Sequence, residues 1–314
     1  MNLDSSYKKI MIFGRPGSGK STFALALHKA IGIPLHHLDK HFYEANWVER
    51  DYKEFMEIQQ SIVDQNEWII DGNNTKSLEL RYSHANLVLY FNYPRWLCYL
   101  RTFKRLFDKK AEIDDRALGC KETIRFSLLR YMWNYEDRVT NQISDLKERF
   151  PEVDFIDISH DGQIKSILNR ITLNNNLTIT TVELNNIDLP KVIALCIGNP
   201  TNEKIQSVLN YYSSAPNRLI IGTTFNSALI GLIGVSIEDT IVIINHLAIL
   251  DDYRGYGIAK RLVHCVAKCF QTRNIIAETD DEAIGFYRAL NFHCDVFAGP
   301  YGIRYKCKFN AQVN

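Results

Sequence analysis

The chain has 314 residues, of which 46% are hydrophobic and 23% charged, proportions that are ordinary for a soluble globular protein. Its length predicts about two domains, because single cores usually stop growing near ~250–300 residues. The 37 Lys and Arg residues balance 36 Asp and Glu residues, and neither half is basic, so bulk charge does not favour a nucleic-acid-binding protein.

Strands and helices alternate in the first half. Short apolar runs predict strands at residues 9–13, 33–38, 68–70, 87–91 and 154–158. Helical spacing predicts helices at 21–31, 51–65 and 163–171, with a charged and largely helical stretch at 95–149. This alternation predicts an α/β fold with a parallel sheet, whose ligands bind outside the carboxyl ends of the strands.

A polar run, Asn174-Asn175-Asn176, predicts a linker, after which the pattern restarts. We predict strands at 177–183, 218–224, 229–236, 241–249, 275–278 and 303–309. Helices are predicted within 189–212, at 258–271 and at 282–290. The sequence therefore predicts two domains, residues 1–172 and 173–314, the second a smaller α/β unit with meander-like strands.

A glycine-rich segment, G-R-P-G-S-G-K-S, lies between the first predicted strand and helix. Glycines let backbone N–H groups surround a triphosphate, and the following helix directs its positive end toward it. In such a P-loop, Lys20 reaches the β- and γ-phosphates and the Ser21 hydroxyl ligates Mg²⁺. We predict a nucleoside triphosphate site formed by Gly14, Gly17, Ser18, Gly19, Lys20, Ser21 and Thr22, in preference to a glycine turn without a ligand.

Two aspartates follow predicted strands at the same edge of the sheet. Asp39 is a candidate for orienting a phosphoryl acceptor, although it could equally cap a turn. Asp71 could hold Mg²⁺ through water, although Asp-Gly-Asn is also a good turn sequence. The histidines of the run His36-His37-Leu38-Asp39-Lys40-His41 could form a transition-metal site. We favour their interpretation as strand and strand-edge residues around Asp39, because no matching distant ligand is present.

Arginines in the helical stretch could supply cations for phosphoryl transfer, which needs positive charge over the γ-phosphate. Arg101 and Arg105 share a helix face, and Arg95 and Arg116 lie nearby. A solvated helix face is the alternative interpretation. We predict catalytic roles for Lys20, Asp39, Arg101 and Arg105.

Over about residues 8–172 these features resemble the adenylate-kinase-related P-loop proteins called topology modulation proteins. The resemblance is carried by the P-loop, Leu38-Asp39 with Trp47, the Trp68-Ile69-Ile70-Asp71-Gly72-Asn73 run, Arg81, and Tyr93-Pro94-Arg95 with Arg101 and Arg105. It implies ATP binding and a kinase-like fold, with a nucleotide or small molecule as phosphoryl acceptor. Asn74 departs from the aromatic residue expected after Asp-Gly-Asn, which bears on the contact to the acceptor.

In the second half, a strand runs into an Arg-Gly-x-Gly-x-Ala turn that opens a helix, where small residues let backbone N–H groups approach a pyrophosphate. A strand, a cap and a short Phe286-Tyr287 helix follow. Together these stretches resemble the GNAT acetyltransferase superfamily over about residues 176–314, with Arg254, Gly257 and Ala259 matching its acetyl-CoA motif.

The resemblance implies that acetyl-CoA lies between two splayed strands and that an amine is the acetyl acceptor. It places pantetheine along Leu247, Ala248 and Ile249, and the pyrophosphate on the N–H groups of Gly255, Tyr256, Gly257, Ile258 and Ala259. Tyr287 would protonate the departing CoA thiolate as general acid, unless it is simply a packed aromatic residue. The base that deprotonates the amine stays open among His246, Glu278 and Glu238.

The sequence as a whole predicts a bifunctional enzyme, an ATP- and Mg²⁺-dependent kinase-like domain fused to an acetyl-CoA-dependent N-acetyltransferase. The alternative is an N-acetyltransferase with a regulatory, non-catalytic ATP-binding domain. Seven cysteines without a Cys-x-x-Cys pair are interpreted as reduced thiols, which fits the cytoplasm. We expect no signal peptide, membrane span or nucleic-acid partner.

Overall fold

A computed structural model describes residues 6–107, 126–239, 241–270, 274–299 and 302–310. The chain divides into two compact units, Met1–Asn175 and Asn176–Asn314. Within the described ranges, no helix is both long and apolar enough to cross a membrane.

The first unit is built on a five-stranded sheet in which every neighbouring pair is parallel. Its strands are β1 (Lys9–Gly14), β2 (Leu35–His37), β3 (Trp68–Asp71), β4 (Leu87–Phe91) and β5 (Asp154–Ile158). Their order is β2-β3-β1-β4-β5, so the chain enters at the centre and crosses over to both sides. The predicted α/β class with a parallel sheet is confirmed.

Helices cover both faces of this sheet. They are α1 (Lys20–Ile31), α2 (Leu38–Phe42), α3 (Tyr52–Val63), α4 (Leu78–His84), α5 (Arg95–Phe107), α6 (Phe126–Trp133), α7 (Tyr135–Arg149) and α8 (Asp161–Asn176). Side chains alternate along a strand, so Ile10 and Ile12 enter one buried cluster with Phe23, while Met11 and Phe13 enter the other. This two-sided burial explains why the strands appear in the sequence as unbroken apolar runs.

The boundary between the two units falls within the predicted linker at residues 174–176, but these residues are helical and form the end of α8. Asn174 is buried, and the Asn175 amide both accepts from the backbone N–H of Tyr7 at 2.8 Å and donates to its carbonyl at 2.7 Å. An amide supplies both a donor and an acceptor, so it can pair both backbone groups of one residue. The asparagines therefore fasten the end of α8 to the segment before β1.

The second unit carries a seven-stranded sheet in the order β11-β12-β10-β9-β8-β7-β6. Its strands are β6 (Thr178–Thr181), β7 (Arg218–Phe225), β8 (Ala228–Glu238), β9 (Ile241–Ile249), β10 (Asn274–Thr279), β11 (His293–Gly299) and β12 (Gly302–Asn310). Its helices are α9 (Leu189–Ile193), α10 (Asn202–Ser213), α11 (Ile258–Cys269) and α12 (Ile284–Ala289). Neighbouring strands are antiparallel except β9 and β10, which run parallel.

Strand β11 was not predicted, because its mostly exposed residues lack a buried alternating face. It pairs with β12 so that Cys294 lies opposite Cys307, with their Cα atoms 4.0 Å apart, and a disulfide joins the two. The expectation of reduced cysteines is therefore wrong for this pair. On α11, the Cys265 and Cys269 thiols lie 3.7 Å apart and share a hydrogen bond, but no disulfide joins them.

Candidate functional site

The glycine-rich loop that the sequence predicts as a P-loop, and that is given this name below, connects β1 to α1 at the carboxyl edge of the first sheet. Gly14, Gly17 and Gly19 have φ angles of 151°, 81° and 92°, which residues other than glycine rarely adopt. A Cβ atom at Gly14 would overlap Phe91, and one at Gly17 would overlap the Cys98 carbonyl. The loop therefore needs glycine for both its backbone angles and its packing.

A cavity of about 940 Å³ opens beside this loop. Its lining contains five of the residues predicted for phosphoryl transfer, namely Lys20, Ser21, Asp39, Asp71 and Arg105. Gly17 also lines it, whereas Gly14, Ser18, Gly19 and Thr22 lie in the same loop and first helical turn without lining it. A volume of this size accommodates a nucleotide-sized ligand.

Asp71 ends β3 directly opposite His37 at the end of β2. His37 Nδ1 lies 3.0 Å from Asp71 Oδ2, and both side chains are buried. Burial alone would raise the pKa of Asp71, but the His37 hydrogen bond and the charge of Lys20 outweigh it and lower that pKa. The other carboxylate oxygen, Oδ1, is buried and has no hydrogen-bond partner among the described residues. A buried, unpartnered anionic oxygen is costly, so Asp71 fits a divalent cation.

Asp39 lies in the first turn of α2, because β2 ends at His37 and not at residue 38 as predicted. Aromatic and basic side chains that the sequence did not single out line the cavity around it. Lys76 lies 5.6 Å above the ring of Tyr52, and Arg138 lies 5.3 Å above that of Tyr131. These residues come from separate elements, so no local pattern could have grouped them.

Arg101 does not line the cavity. Its Nη2 lies 2.8 Å from both carboxylate oxygens of Asp161, its Nη1 donates to the Ser18 carbonyl at 3.2 Å, and its guanidinium stacks 4.7 Å above Tyr93. These contacts connect the P-loop to α8 and favour a bracing role over the predicted catalytic one. Arg116 lies outside the described residues.

Arg15 lies in the P-loop and holds it against the neighbouring helices. Sequence reasoning also missed this residue. It is buried, donates to the carbonyls of Tyr93 at 2.9 Å and Met132 at 3.0 Å, and pairs with Glu136 at 3.1 Å. A buried guanidinium needs such partners to offset its desolvation. The loop conformation is thereby coupled to α6 and α7.

In the second unit, β9 and β10 separate part-way along their length. Their parallel pairing runs from Ile241 opposite Asn274 to Ile244 opposite Ala277 and stops there. A register shift against β8 makes Asn245 an extra residue, after which β9 continues to Ile249 along β8 alone. Leu247, Ala248 and Ile249 therefore lie on the separated portion of β9, where backbone groups can bind an extended ligand.

The glycine turn beyond β9 leads directly into α11. Gly255 and Gly257 have φ angles of 78° and 76°, and Gly257 precedes the helix without a side-chain cap. The first backbone N–H groups of α11 are consequently available to an anion. Arg254 is exposed and pairs with Asp251 at 3.0 Å.

Tyr287 lies on α12 with only 6% of its surface exposed. Burial, with smaller contributions from Cys196 and Asp280, raises its pKa to about 12, so the phenol keeps its proton at neutral pH. The Cys196 thiol also lies against the backbone N–H of Leu247, and burial raises its pKa to about 11. Tyr287, Cys196 and the separated part of β9 thus share one neighbourhood.

Residues 217–294 match the family model described as the acetyltransferase (GNAT) domain. The second unit contains a GNAT acetyltransferase domain. The matched residues include β9, the glycine turn and α12, which carry the predicted cofactor-binding residues and Tyr287. The predicted GNAT resemblance is confirmed for residues 217–294, while the P-loop kinase-like half stays a prediction.

Solved structures similar to this chain include GNAT-family enzymes. An acetyltransferase from Elizabethkingia anophelis with acetyl-CoA bound is 15% identical and covers 43% of this chain and 98% of its own, with a TM-score of 0.37. An aminoglycoside 6'-N-acetyltransferase from Enterococcus faecium is 15% identical over 44% and 98%, with a TM-score of 0.39. The ribosomal-protein-S18-alanine N-acetyltransferase from Escherichia coli is 15% identical over 44% and 96%, with a TM-score of 0.35. A search of curated proteins found no match.

The three candidate bases lie at different places in the second sheet, and only one of them adjoins the separated part of β9. Glu238 lies opposite Ile241, at the far end of β9 from the separated portion and roughly 20 Å from Leu247 at ~3.3 Å per residue. Glu278 follows the last β10 residue that pairs with β9 and is exposed. His246 precedes Leu247 and contacts Tyr212 of α10, a residue that sequence reasoning missed because 34 positions separate them.

Proposed function

We propose that this chain is an acetyl-CoA-dependent N-acetyltransferase whose first unit binds ATP with Mg²⁺ and transfers a phosphoryl group. The observation that carries the first part is the separation of β9 from β10 next to an uncapped helix N-terminus within a matched GNAT domain.

The residues on the separated part of β9 suit acetyl-CoA. Backbone groups of Leu247, Ala248 and Ile249 would hydrogen-bond the amides of pantetheine, which is an extended chain. N–H groups of Gly255 to Ala259 would hold the pyrophosphate, since left-handed glycines and a helix N-terminus suit an anion. Tyr287 would give its proton to the sulfur as the carbon–sulfur bond breaks.

The assay combines radiolabelled acetyl-CoA with three amines, kanamycin, spermidine and a peptide with an N-terminal alanine. Kanamycin and the peptide are chosen because similar structures act on an aminoglycoside and on the S18 alanine. We expect saturable acetyl-CoA binding by calorimetry and label transfer to at least one amine. Absence of acetyl-CoA binding would contradict the proposal outright.

The cavity of the first unit supports phosphoryl transfer, because its lining contains Lys20, Ser21 and Asp71 of the predicted phosphate and Mg²⁺ site. Further cations, Lys76, Arg105 and Arg138, also line it. Asp39, which also lines the cavity, would orient the acceptor hydroxyl or phosphate, and Arg105 would stabilise charge on the transferred group. A regulatory ATP site would need the P-loop but not an adjoining cavity lined by Asp39 and aromatic residues.

Labelled ATP separates the two versions of this proposal. We expect transfer of the γ-phosphate to a member of a panel of nucleoside monophosphates and small hydroxylated metabolites. Tight ATP binding without transfer to any acceptor, together with a change in acetyl-transfer rate on adding ATP, would favour the regulatory alternative. Both substrates are cytoplasmic metabolites, and we place the enzyme there.

A further inference from the structure

Tyr212 and His246 form a hydrogen-bonded pair between α10 and β9, in which Tyr212 is buried and His246 is partly exposed. The Tyr212 hydroxyl lies 2.6 Å from Nδ1 of His246, and Tyr212 is 3% exposed. The other ring nitrogen of His246, Nε2, makes no hydrogen bond to the residues that the structure describes. A histidine held through one nitrogen and open at the other is arranged to exchange a proton there.

The local backbone is shaped around this pair. The extra residue in β9, Asn245, lies next to His246, and its amide donates to Ser236. Opposite His246 stands Gly234, where a Cβ atom would overlap the Tyr212 hydroxyl. A bulge that re-aims a side chain, with a glycine that admits its partner, is typical of a functional position.

The pair lies close to the residues assigned to acetyl transfer. His246 immediately precedes Leu247, whose backbone N–H contacts the Cys196 thiol. Burial is the main cause of the raised pKa of Tyr212 and of Tyr287, and Cys196 adds a smaller contribution to both. Cys196 itself is a poor nucleophile, because burial raises its pKa to about 11. Because Tyr287, Tyr212 and Leu247 all lie near Cys196, the reacting amine and thioester would meet between Tyr287 and His246.

We propose that His246 is the general base of the acetyl transfer and that Tyr212 is the residue that positions it, an inference that rests on the proposed N-acetyltransferase function. Tyr212 accepts the Nδ1 proton, which places the lone pair of His246 on Nε2. Nε2 takes a proton from the attacking nitrogen as the new bond forms. Glu278, which is exposed on β10, takes no part in this proton transfer.

The acceptor in this step is a neutral primary amine. The nitrogen attacks the thioester carbon, forming the carbon–nitrogen bond, and one N–H proton passes to Nε2. The carbon–sulfur bond breaks, and the sulfur takes the Tyr287 proton. The imidazolium and the phenolate then return to neutrality through solvent, leaving an N-acetyl amide and CoA thiol.

Charge and burial around the pair agree with this role. The titratable neighbours are Tyr212 and Tyr211 of α10 and Cys196 after α9, and the nearby cation Arg218 stacks 3.9 Å above Tyr211. Burial lowers the pKa of His246 below 6.5, so the ring is neutral and able to accept a proton at pH 7. An ammonium acceptor, with a pKa near ~10, would have to lose its first proton to solvent before attack.

The kinetic test compares His246→Gln, Tyr212→Phe and Glu278→Gln with wild type, using whichever of kanamycin, spermidine and the alanine peptide is acetylated fastest. We expect His246→Gln to lower kcat about 100-fold, in line with general-base catalysis, with acetyl-CoA affinity unchanged. Tyr212→Phe should lower kcat about tenfold and leave the acidic limb of the pH profile in place, whereas His246→Gln should remove that limb. Full activity in His246→Gln, or loss only in Glu278→Gln, would overturn the proposal.

A second measurement needs no acceptor. Nitrogen-15 NMR of wild-type protein with histidine labelled reports the His246 tautomer, with His246→Gln identifying the signal. We expect the proton on Nδ1, a pKa below 6.5, and a shift toward the other tautomer in Tyr212→Phe. A proton on Nε2 would overturn the proposal even if acetyl transfer itself is demonstrated. Failure of acetyl-CoA to bind would instead overturn the proposed function.

Discussion

Nδ1 of His37 donates to a carboxylate oxygen of Asp71 at 3.0 Å, although 34 residues separate the two in the chain. The pair closes the carboxyl end of β2 against that of β3. One oxygen of Asp71 is thereby fixed, and the other is buried without a hydrogen-bond partner among the described residues. The charge of Lys20 contributes to lowering the pKa of this carboxyl group. The arrangement presents one oriented, negatively charged oxygen to a cation.

Asp71→Asn preserves the shape of this side chain and removes its charge. We expect the affinity for ATP in the presence of Mg²⁺ to fall at least about tenfold, while affinity for metal-free ATP changes little. Calorimetric titration with and without Mg²⁺ measures both. Asp64→Asn, at the exposed end of α3, is the matched control and should behave as wild type. Equal losses with and without Mg²⁺ would show that Asp71 acts on folding alone.

Lys20→Ala should abolish ATP binding, because the ammonium supplies the charge that the P-loop backbone cannot. Acetyl-CoA binding should persist, since its predicted residues all belong to the second unit. Lys29→Ala changes an exposed lysine at the other end of the same helix and should leave both affinities unaltered. Loss of both ligands in Lys20→Ala would mean that the units do not function independently.

Arg101 and Asp161 provide a test between bracing and catalysis. If Arg101 holds the P-loop through Asp161, then Arg101→Ala and Asp161→Ala should weaken ATP binding to a similar extent, and the double variant should add little. Each change should cost at most about 1 kcal/mol of unfolding free energy, because the pair is partly exposed. A large loss of phosphoryl transfer in Arg101→Ala, with Asp161→Ala unaffected, would restore the catalytic role.

Tyr287→Phe should slow acetyl transfer about 100-fold or more and leave acetyl-CoA affinity unchanged, since the ring still packs but the acidic proton is gone. Burial raises the pKa of Tyr287 to about 12, so the wild-type rate should not decline from loss of this proton up to pH ~10. Steady-state rates between pH 6 and ~10 measure this. Tyr211→Phe on α10 serves as the control, and undiminished turnover in Tyr287→Phe would remove this residue from the mechanism.

Gly234→Ala should destabilise the second unit by about 1–3 kcal/mol, because the added methyl group overlaps the Tyr212 hydroxyl. Removing that hydroxyl in Gly234→Ala with Tyr212→Phe should recover part of the loss. Gly198→Ala, which meets no atom within 4 Å, should change the free energy of unfolding by less than about 0.5 kcal/mol. Chemical denaturation of these three variants and of Tyr212→Phe alone gives the four free energies of unfolding, and an additive double variant would contradict the overlap.

Much of the architecture followed from local patterns. Strand β4 and strand β9 were predicted to the residue, because buried strands give unbroken apolar runs between turn residues. Helix α4 and strand β11 were not predicted, since neither has a distinctive period, and α8 continued through a polar run that local composition assigns to a linker. The asparagines there satisfy backbone groups from the other end of the unit, which composition cannot indicate.

The two turns predicted to bind phosphate and pyrophosphate were recognisable from their closely spaced glycines. Gly17, Gly19, Gly255 and Gly257 adopt backbone angles that few other residues tolerate. Such turns are local and therefore visible in a single chain. The pairing of distant side chains, in contrast, could be seen only in the folded chain: His37 with Asp71, Arg101 with Asp161, and Tyr212 with His246. These pairs depend on strand register and helix packing, whose geometry arises from burial across the whole unit and leaves no pattern at either position alone.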